Sequence, residues 1–328
     1  MFRFGSNENY LCQTNSSRLN IHDTQEWYDL YSEKRTKELA LFFDRYLKGS
    51  DNRWEETPRV RVSLLGYNRV CDHSQLQSLV PVVPTDLWQP NITDQPIPNW
   101  PHPQALYETL FLTPGRLEKS SPTIAGKFAY QSDFRAQQDG SDTEELLFTH
   151  TFDSRRYLLG TSTATLYMST QQGDDLDVFV QLCKADSDGK ILHHYNIPQH
   201  DLDEAGMIRE NVPPVNTMRY VGPTGMLRAS RRAQDPALSK PHAPQLTFGT
   251  PEKLLPGEIT KLEIGIWAGG MIFEKGEKLI LKVSGHPMLL AEFEILWGSY
   301  QPANRGEHYV HFGGEYQSSL TVPMLSVI

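Results

Sequence analysis

The sequence predicts a mainly β protein, with a two-sheet sandwich as its architecture and a jelly roll as the leading topology. From about residue 144 onward, short runs rich in Val, Ile, Thr, Tyr and Phe alternate with turns that contain Gly, Pro and Asp. The connections between these runs are long and irregular, and only one segment of the chain has clear helical spacing. Many short strands with almost no helix are typical of a sandwich.

The one predicted helix covers residues 32–48. Its apolar residues recur at three- and four-residue spacing, at Leu39, Phe42, Phe43, Tyr46 and Leu47. Ser32 is a suitable N-cap, and Gly49 is a natural residue to end the helix. The apolar face of this helix needs a hydrophobic surface to cover.

The strands are predicted in chain order from alternation and β-branched content. Residues 59–65 alternate and then become apolar, and residues 106–112 form a similar run. Residues 80–103 are rich in proline, with Trp88 and Trp100 interspersed, which predicts an extended surface loop. Residues 115–143 are also predicted to be loop. The remaining strands are predicted at residues 146–152, 160–170, 177–184, 191–195, 259–268, 278–284, 308–312 and 319–323.

Charge and composition exclude several classes of partner. The 328 residues carry a formal net charge of -9, with acidic and basic residues mixed along the chain. A surface for nucleic acid or anionic lipid would need clustered basic residues, so neither partner is predicted. No apolar run approaches the length of a transmembrane helix. Residues 1–17 are predicted to be unstructured and lack a signal-peptide pattern, which indicates a cytoplasmic protein.

The three cysteines, Cys12, Cys71 and Cys183, are widely spaced and lack any CxxC or metal-binding pattern. We therefore expect them to be reduced, structural thiols. In a cytoplasmic protein the two sequons, at Asn15 and Asn91, are expected to be chance matches.

Three stretches resemble the cocaine esterase / X-Pro dipeptidyl-peptidase (CocE/NonD) family of serine hydrolases. The first spans residues 19–62 and contains His22, the segment FFDRYLKG at residues 42–49 and TPRVRV at residues 57–62. The other two cover residues 225–284 in part and residues 304–323, where the family's closing strands are expected. Together the resemblance extends over roughly residues 18–325.

This resemblance implies a division of the chain and a chemistry. Residues 18–56 would be the end of an α/β-hydrolase domain with the catalytic-histidine segment and its last helix. Residues 57–328 would be the X-Pro dipeptidyl-peptidase C-terminal-like sandwich, of galactose-binding-like jelly-roll type. Members use a Ser–Asp–His triad on esters, X-Pro dipeptides or acyl groups of antibiotic precursors, with no metal or organic cofactor. His22 occupies the position of the general base.

The other two members of the triad are not recognisable in the sequence. In α/β hydrolases the serine and the acid precede the histidine in the chain. Ser6, Ser16 and Ser17 are the only serines before His22, and none lies in a G-x-S-x-G context. A partial match at residues 160–164 follows the histidine and is better explained as a glycine at a strand entrance. Asp23 and Asp29 also follow His22 rather than precede it.

Several other residue groups have structural interpretations that we favour over functional ones. His193 and His194 are adjacent on a predicted strand, and His308 and His311 are three residues apart on another. An odd separation places side chains on opposite faces of a strand, so neither pair is suited to bind one metal ion. The arginines at residues 228–232 are expected to form a salt-bridged edge or to anchor a loop. The aromatic residues that might line a sugar groove are Tyr220, Trp267 and Trp297, with core packing favoured for Trp267.

Three hypotheses for function remain open at this point. In the first, the chain is an incomplete hydrolase, from a truncated gene model, a split gene or a pseudogene, and is inactive alone. A complete member would need roughly 250 further residues. In the second, it is a non-catalytic sandwich that binds a carbohydrate or a protein partner. In the third, a separate chain supplies Ser and Asp for an ester or X-Pro amide substrate. An uncovered helix 32–48 would also favour self-association.

Overall fold

The computed structural model describes residues 17–67 and 91–328. Strand accounts for 39% and helix for 14%, which confirms a mainly β protein. The first eight strands are β1 (Leu19–Ile21), β2 (Val60–Leu64), β3 (Ile92–Ile97), β4 (Leu106–Thr113), β5 (Arg116–Glu118), β6 (Gly126–Gln131), β7 (Leu146–Thr151) and β8 (Arg156–Thr170). The other eight are β9 (Asp177–Ala185), β10 (His194–Tyr195), β11 (Arg219–Tyr220), β12 (Thr224–Arg228), β13 (Thr260–Phe273), β14 (Lys278–Ser284), β15 (Glu307–Phe312) and β16 (Ser319–Leu325).

The helices within the described residues are α1 (Glu26–Tyr31), α2 (Glu33–Lys48) and α3 (Gln199–Glu204), with short 3-10 turns at Trp54–Glu56, Arg209–Asn211, Ala229–Arg231 and Glu294–Leu296. The helix predicted at residues 32–48 is confirmed as α2. Ser32 caps it by accepting a hydrogen bond from the Arg35 amide, and Gly49 ends it in the left-handed conformation. Helices α1 and α3 were not predicted, because six residues are too few to establish helical periodicity.

Most strands belong to one large sheet. Its hydrogen-bonded order is β12-β9-β14-β7-β5-β4-β16-β8-β15-β6, and β13 pairs with β8. The sheet curves until its parts meet, since Gly225 on β12 passes directly beside Gly265 on β13. A Cβ atom at Gly225 would lie 2.4 Å from the Gly265 carbonyl oxygen. The core enclosed in this way, called the main core, contains buried residues from strands on both sides, among them Leu182 of β9, Ile264 of β13 and Leu281 of β14. The jelly-roll topology stays a prediction.

A smaller sheet joins the beginning of the chain to the sandwich. Strand β2 pairs in parallel with β1 and antiparallel with β3. It contributes Val60, Val62 and Leu64 to a second core, which packs against residues of β8 and β13 such as Leu159 and Ile272. This sheet crosses the domain boundary predicted at residues 56 and 57, and the division into domains remains a prediction.

The proline-rich stretch differs from its prediction. Residues 80–90, including Trp88, lie outside the described residues, but Ile92–Ile97 forms a strand rather than a surface loop. This strand, β3, lies at the edge of its sheet and accommodates Pro96, because a proline can place its missing N–H on the unpaired side. Trp100 is buried in the second core, as an aromatic anchor would be.

The loop predicted at residues 115–143 contains strands β5 and β6. In β6 exposed and more buried positions alternate, with Phe128 and Tyr130 turned toward the main core. The prolines, serines and glycines on either side obscured this short alternating pattern. Conversely, the strand predicted at residues 191–195 is reduced to His194–Tyr195 with an isolated bridge at Ile191.

Helix α2 lies on the molecule with its apolar side exposed. None of its residues is buried. Leu39, Phe43, Tyr46 and Leu47, called here the helical face, are 43%, 48%, 47% and 77% exposed. This exposure agrees with the expectation of an uncovered helix, and self-association through it stays a prediction.

Ion pairs connect α2 to the small sheet. The Arg35 guanidinium contacts the carboxylates of Asp29 at 3.1 Å, Glu38 at 3.1 Å and Asp94 at 2.6 Å. Glu38 in turn accepts a hydrogen bond from Arg61 of β2 at 2.7 Å. The Arg61 hydrogen bond lowers the pKa of Glu38 despite partial burial. These ion pairs attach α2 to the small sheet, and Phe42 adds an edge-to-face contact with the buried Trp54 at 5.5 Å between ring centroids.

Candidate functional site

His22 lies in the loop between β1 and α1, which places it on a strand-to-helix connection. The strand ends because the chain turns at residues 23 and 24. Helix α1 then begins after Gln25, whose side-chain oxygen accepts a hydrogen bond from the Tyr28 amide at 2.9 Å. The half-buried His22 therefore lies at the edge of the small sheet, where its ring can contact a residue from another segment.

The His22 ring carries a nitrogen without a hydrogen-bond partner. Its Nδ1 atom is buried and has no hydrogen-bond partner among the described residues. The two nearby acids are engaged elsewhere, since Asp23 accepts from the Asn91 side chain at 2.9 Å and Asp29 pairs with Arg35. A buried imidazole nitrogen without a partner is costly, so this atom is positioned to bond a group that the described residues do not provide.

Three sequence-distant groups surround the His22 loop. His194 of β10 lies 2.6 Å from the Asp23 carbonyl oxygen, measured from its Nε2 atom. Burial lowers the pKa of His194, although the Asp23 carbonyl opposes that shift. Asn91 bonds Asp23 and also accepts from the Gly66 amide at 3.0 Å. The ring of Tyr67 is buried beside His194, with 6.2 Å between ring centroids.

Sequence reasoning missed these neighbours of His22. Adjacent histidines suggest a metal site at most, and Asn91 stands out in the sequence only as part of a sequon. The Asn91 side chain instead uses its amide nitrogen to donate to Asp23 and its oxygen to accept from Gly66. The signal that was available is the paired histidines, because a buried histidine usually has a specific partner.

The partial match at residues 160–164 has no nucleophile geometry. Ser162 is buried within β8, far from any strand-to-helix turn. The strand begins at Arg156, so Gly160 is not at its entrance as predicted. Instead, Gly160 has φ of 138° opposite Gly269, at a bulge between β8 and β13. Ser17 is the one serine before His22 that the structure describes, and it lies outside any helix or strand.

His308 and His311 bind separate partners rather than a common metal ion. In the described part of the chain, no three His, Cys, Asp or Glu side chains form a group that could hold a metal ion. His308 contacts the Tyr130 hydroxyl at 3.3 Å, and His311 contacts Ser169 at 2.8 Å from the other face of β15. Burial lowers the pKa of His193 to about 4, as it does for His308.

The basic run at residues 228–232 is a salt-bridged edge. Arg228 makes two hydrogen bonds of 2.7 Å to the Asp177 carboxylate. Arg231 donates to the Gly249 carbonyl, and Arg232 donates to the Glu252 carbonyl at 2.7 Å. These contacts attach the loop around residues 249–252, in agreement with the structural interpretation.

The three aromatic residues considered for a sugar groove have different surroundings. Tyr220 packs against the main core. Trp267 is half-buried in β13, next to its bulge, and Trp297 follows a short 3-10 turn with 36% of its surface exposed. Nothing in these positions favours a common platform for a sugar ring.

Cys183 is fully buried and free, and burial raises the pKa of its thiol to about 12. An inert structural thiol is therefore the appropriate description of this residue. Cys12 and Cys71 lie outside the described residues. No helix in residues 17–67 or 91–328 is long and apolar enough to cross a membrane.

A comparison with protein families identifies the family of this chain. Residues 52–321 match the X-Pro dipeptidyl-peptidase C-terminal non-catalytic domain. The chain belongs to this family. The resemblance inferred from the sequence is thereby confirmed, and the match begins shortly after helix α2.

Solved structures show the same fold. A CocE/NonD family hydrolase from Staphylococcus aureus has a TM-score of 0.75 and 24% identity, covering 95% of this chain and 50% of its own. An aminopeptidase from a marine sediment Thaumarchaeota archaeon has a TM-score of 0.54 and 16% identity, covering 92% and 44%. An α-amino acid ester hydrolase has a TM-score of 0.52 and 13% identity, covering 88% and 44%. The chain thus spans about half the length of these enzymes, and no curated protein sequence matches it.

Proposed function

We propose that this chain supplies the general base, His22, of a serine hydrolase that cleaves esters or X-Pro amides without a metal or organic cofactor. The serine and the aspartate of the triad come from outside these 328 residues, because no serine before His22 lies in a G-x-S-x-G context, and the chain is therefore inactive alone. The observation that supports this proposal is the buried Nδ1 atom of His22, which has no hydrogen-bond partner among the described residues.

The triad gives each nitrogen of the imidazole a separate task. One nitrogen takes the proton of the serine hydroxyl and later returns it to the leaving group. The other donates its proton to a carboxylate, which fixes the tautomer and stabilises the imidazolium that forms. The Nδ1 atom of His22 is where such a carboxylate would bind, since Asp23 and Asp29 already have other partners.

Inactivity of the isolated chain follows from the same chemistry. A base accelerates acyl transfer only when a nucleophile is within hydrogen-bond reach. Ser162, the serine of the partial sequence match, is buried in a strand and cannot fill this role.

The proposal is tested with a p-nitrophenyl ester, an X-Pro p-nitroanilide and a fluorophosphonate probe. We expect no turnover and no labelling of the 328 residues alone. Coding sequence upstream of residue 1 is searched for a G-x-S-x-G segment and expressed together with the chain. Turnover should then appear, and His22→Gln should lower kcat by about 10⁴-fold or more.

The matched control is His150→Gln, which changes a histidine of β7 and should leave kcat unchanged. His22-dependent turnover by the 328 residues alone would show that the nucleophile is present in this chain. An extended protein with an intact G-x-S-x-G segment and no turnover would remove the proposed role of His22.

The alternative function is a non-catalytic sandwich that binds a protein partner. It is supported by the description of the matched family as a non-catalytic domain and by the exposed helical face. Under this alternative, the extended protein stays inactive while a partner raises the melting temperature of the chain. A carbohydrate ligand has less support, because Tyr220 packs against the main core.

A further inference from the structure

A long excursion leaves the sandwich between β9 and β12, at residues 186–223. It contains β10, α3 and β11 and has a small core of its own, formed by Tyr195, Leu202 and Val212. The guanidinium groups of Arg209 and Arg219 each lie 5.4 Å from the centre of the Tyr195 ring. These contacts give the excursion a defined shape rather than that of a loose loop.

The excursion runs alongside the residues that directly follow His22. Three contacts mark this course. His194 bonds the Asp23 carbonyl at 2.6 Å, the Asn196 carbonyl accepts from the Gln25 amide at 2.9 Å, and His200 meets the Tyr28 hydroxyl at 3.3 Å. The order of the partners is the same on both segments, so the contact extends over the whole connection from His22 into α1.

The contact of His194 is directional. A carbonyl oxygen only accepts, so the Nε2 atom of His194 must carry the proton that it donates to Asp23. The Nδ1 atom of the same ring is then unprotonated, and it is buried with no partner in the described residues. Among residues 17–67 and 91–328, the bond to Asp23 is therefore the one hydrogen bond that fixes this ring, which is 3% exposed.

Asp23 is also held from its side chain. Asn91 donates to its carboxylate, and Gly66 holds Asn91 in turn. The Gly66 carbonyl accepts from the buried Lys184 ammonium at 2.7 Å. Both the backbone and the side chain of the residue next to His22 are thus attached to the sandwich.

We infer that the excursion positions the catalytic base, with His194 as the positioning residue that fixes the Asp23 carbonyl and thereby the orientation of His22. The catalytic meaning of this inference rests on the proposed function of His22. Residues of the sandwich would then contribute to the reaction without contacting substrate, because they fix the orientation of the His22 imidazole.

The experiment compares variants of His194 that differ in where they can place a donor. A glutamine amide can reach the position of Nε2, whereas leucine removes the donor. We expect His194→Leu to shift the ¹⁵N signals of the His22 ring and to make the Gln25 amide exchange about tenfold faster. His194→Gln should keep both near the original values, and His193→Leu, at the adjacent histidine, should change neither.

A second variant covers the case in which His194→Leu does not fold. His194→Asn places its amide near the Nδ1 position, too far back to reach Asp23, and should reproduce the changes expected for leucine. Unchanged His22 signals in a folded His194→Leu or His194→Asn protein would overturn the inference. Equal effects of leucine and glutamine would also overturn it, because the donor would then be irrelevant.

The same variants in the extended, active protein separate positioning from folding. Loss of the donor should lower kcat at least tenfold with little change in KM, and His194→Gln should restore kcat. If the extended protein with the original sequence is inactive, the proposed function fails. The magnetic resonance and exchange comparison on the 328 residues still decides whether His194 orients His22.

Discussion

The sandwich and the N-terminal segment, residues 17–56, are held in place by different forces. In the sandwich, side chains such as Phe273 and Leu281 are completely buried. In the N-terminal segment Trp54 is the one buried residue among those described, and α2 has none. Ion pairs at Arg35 and hydrogen bonds at Asp23 attach this segment, together with the partly buried side chains of Leu19, Ile21 and Phe42.

The two kinds of contact have different effects: one stabilises the fold, and the other sets the orientation of side chains. Apolar burial is non-directional and stabilises the sandwich as a whole. Hydrogen bonds and ion pairs have defined geometry, contribute less in net free energy and respond to pH and salt. A histidine on a segment attached mainly by hydrogen bonds and ion pairs therefore has a defined orientation, but little free energy is needed to change it. Each prediction below tests one side of this contrast.

The largest effect is expected at an ion pair that lies inside the sandwich. Lys184 follows Val178, Val180 and Leu182 on the inward side of β9 and pairs with Glu277 at 2.8 Å. Both side chains are almost completely buried. We expect Lys184→Met to lower the free energy of unfolding by about 4 kcal/mol, because it leaves a buried carboxylate without its partner. Urea unfolding followed by circular dichroism measures this loss.

Two further variants separate the buried charge from the lost contact. Adding Glu277→Gln to Lys184→Met should recover part of the stability, since no uncompensated charge remains. Lys261→Met removes a similar pair at the surface, where Lys261 is 47% exposed beside Glu263, and should cost less than about 1 kcal/mol. Equal losses at the buried and exposed pairs would contradict the contrast.

The second prediction concerns pH and α2. Hydrogen bonding to Arg61 lowers the pKa of Glu38, and hydrogen bonds from Lys34 and Arg35 lower that of Asp94 although burial opposes them. Both folded values lie below the unfolded values of about 4.3 and 3.9. Their contribution is therefore present above about pH 4 and is lost as the pH falls through the folded values. Amides of α2 should lose protection from exchange, by about 2 kcal/mol, before those of β14.

The control for this prediction is Arg35→Met. It removes the common partner of three carboxylates, so α2 should be less protected already at neutral pH and should depend less on pH. If α2 stays as protected as β14 down to pH 3, after correction for intrinsic exchange, ion pairing is not what holds it.

The sequence predicted those elements whose signals are local. Helix α2 was recognisable because its apolar spacing, Ser32 and Gly49 agree, and β14 because it is a short, mostly apolar run between turns. Strand β3 was missed because its pairing with β2 depends on sequence-distant residues and its proline suggested a loop. The sequence pattern of a short segment does not show whether a sequence-distant strand will pair with it.

The site was only partly predictable for the same reason. The resemblance pointed to His22 through its flanking residues. The groups that hold its loop come from residues near 66, 91 and 194, and they meet only once the sandwich has folded. No spacing rule connects such residues, although a buried histidine pair in a β region was a usable indication.

The smallest expected effect is self-association through the helical face. Its four side chains are exposed by 43% to 77%, and apolar area of this kind favours association. A specific stable interface buries more than about 1,000 Å², which one face of a single helix does not supply. We therefore expect weak, concentration-dependent association in sedimentation velocity. Phe43→Ser combined with Leu47→Lys should weaken it about tenfold, or about 1.4 kcal/mol.

The matched control changes an equally exposed apolar residue elsewhere. Ile295 is 90% exposed in a short turn of the sandwich, and Ile295→Lys should leave the association constant unchanged. If Ile295→Lys weakens association as much as the helical variant does, the contact lies on the sandwich. If the sedimentation coefficient is independent of concentration, the polar attachment of α2 leaves it stable in water without any cover. The exposed side chains would then reflect a helix that its ion pairs and the contact of Phe42 with Trp54 are enough to hold in place.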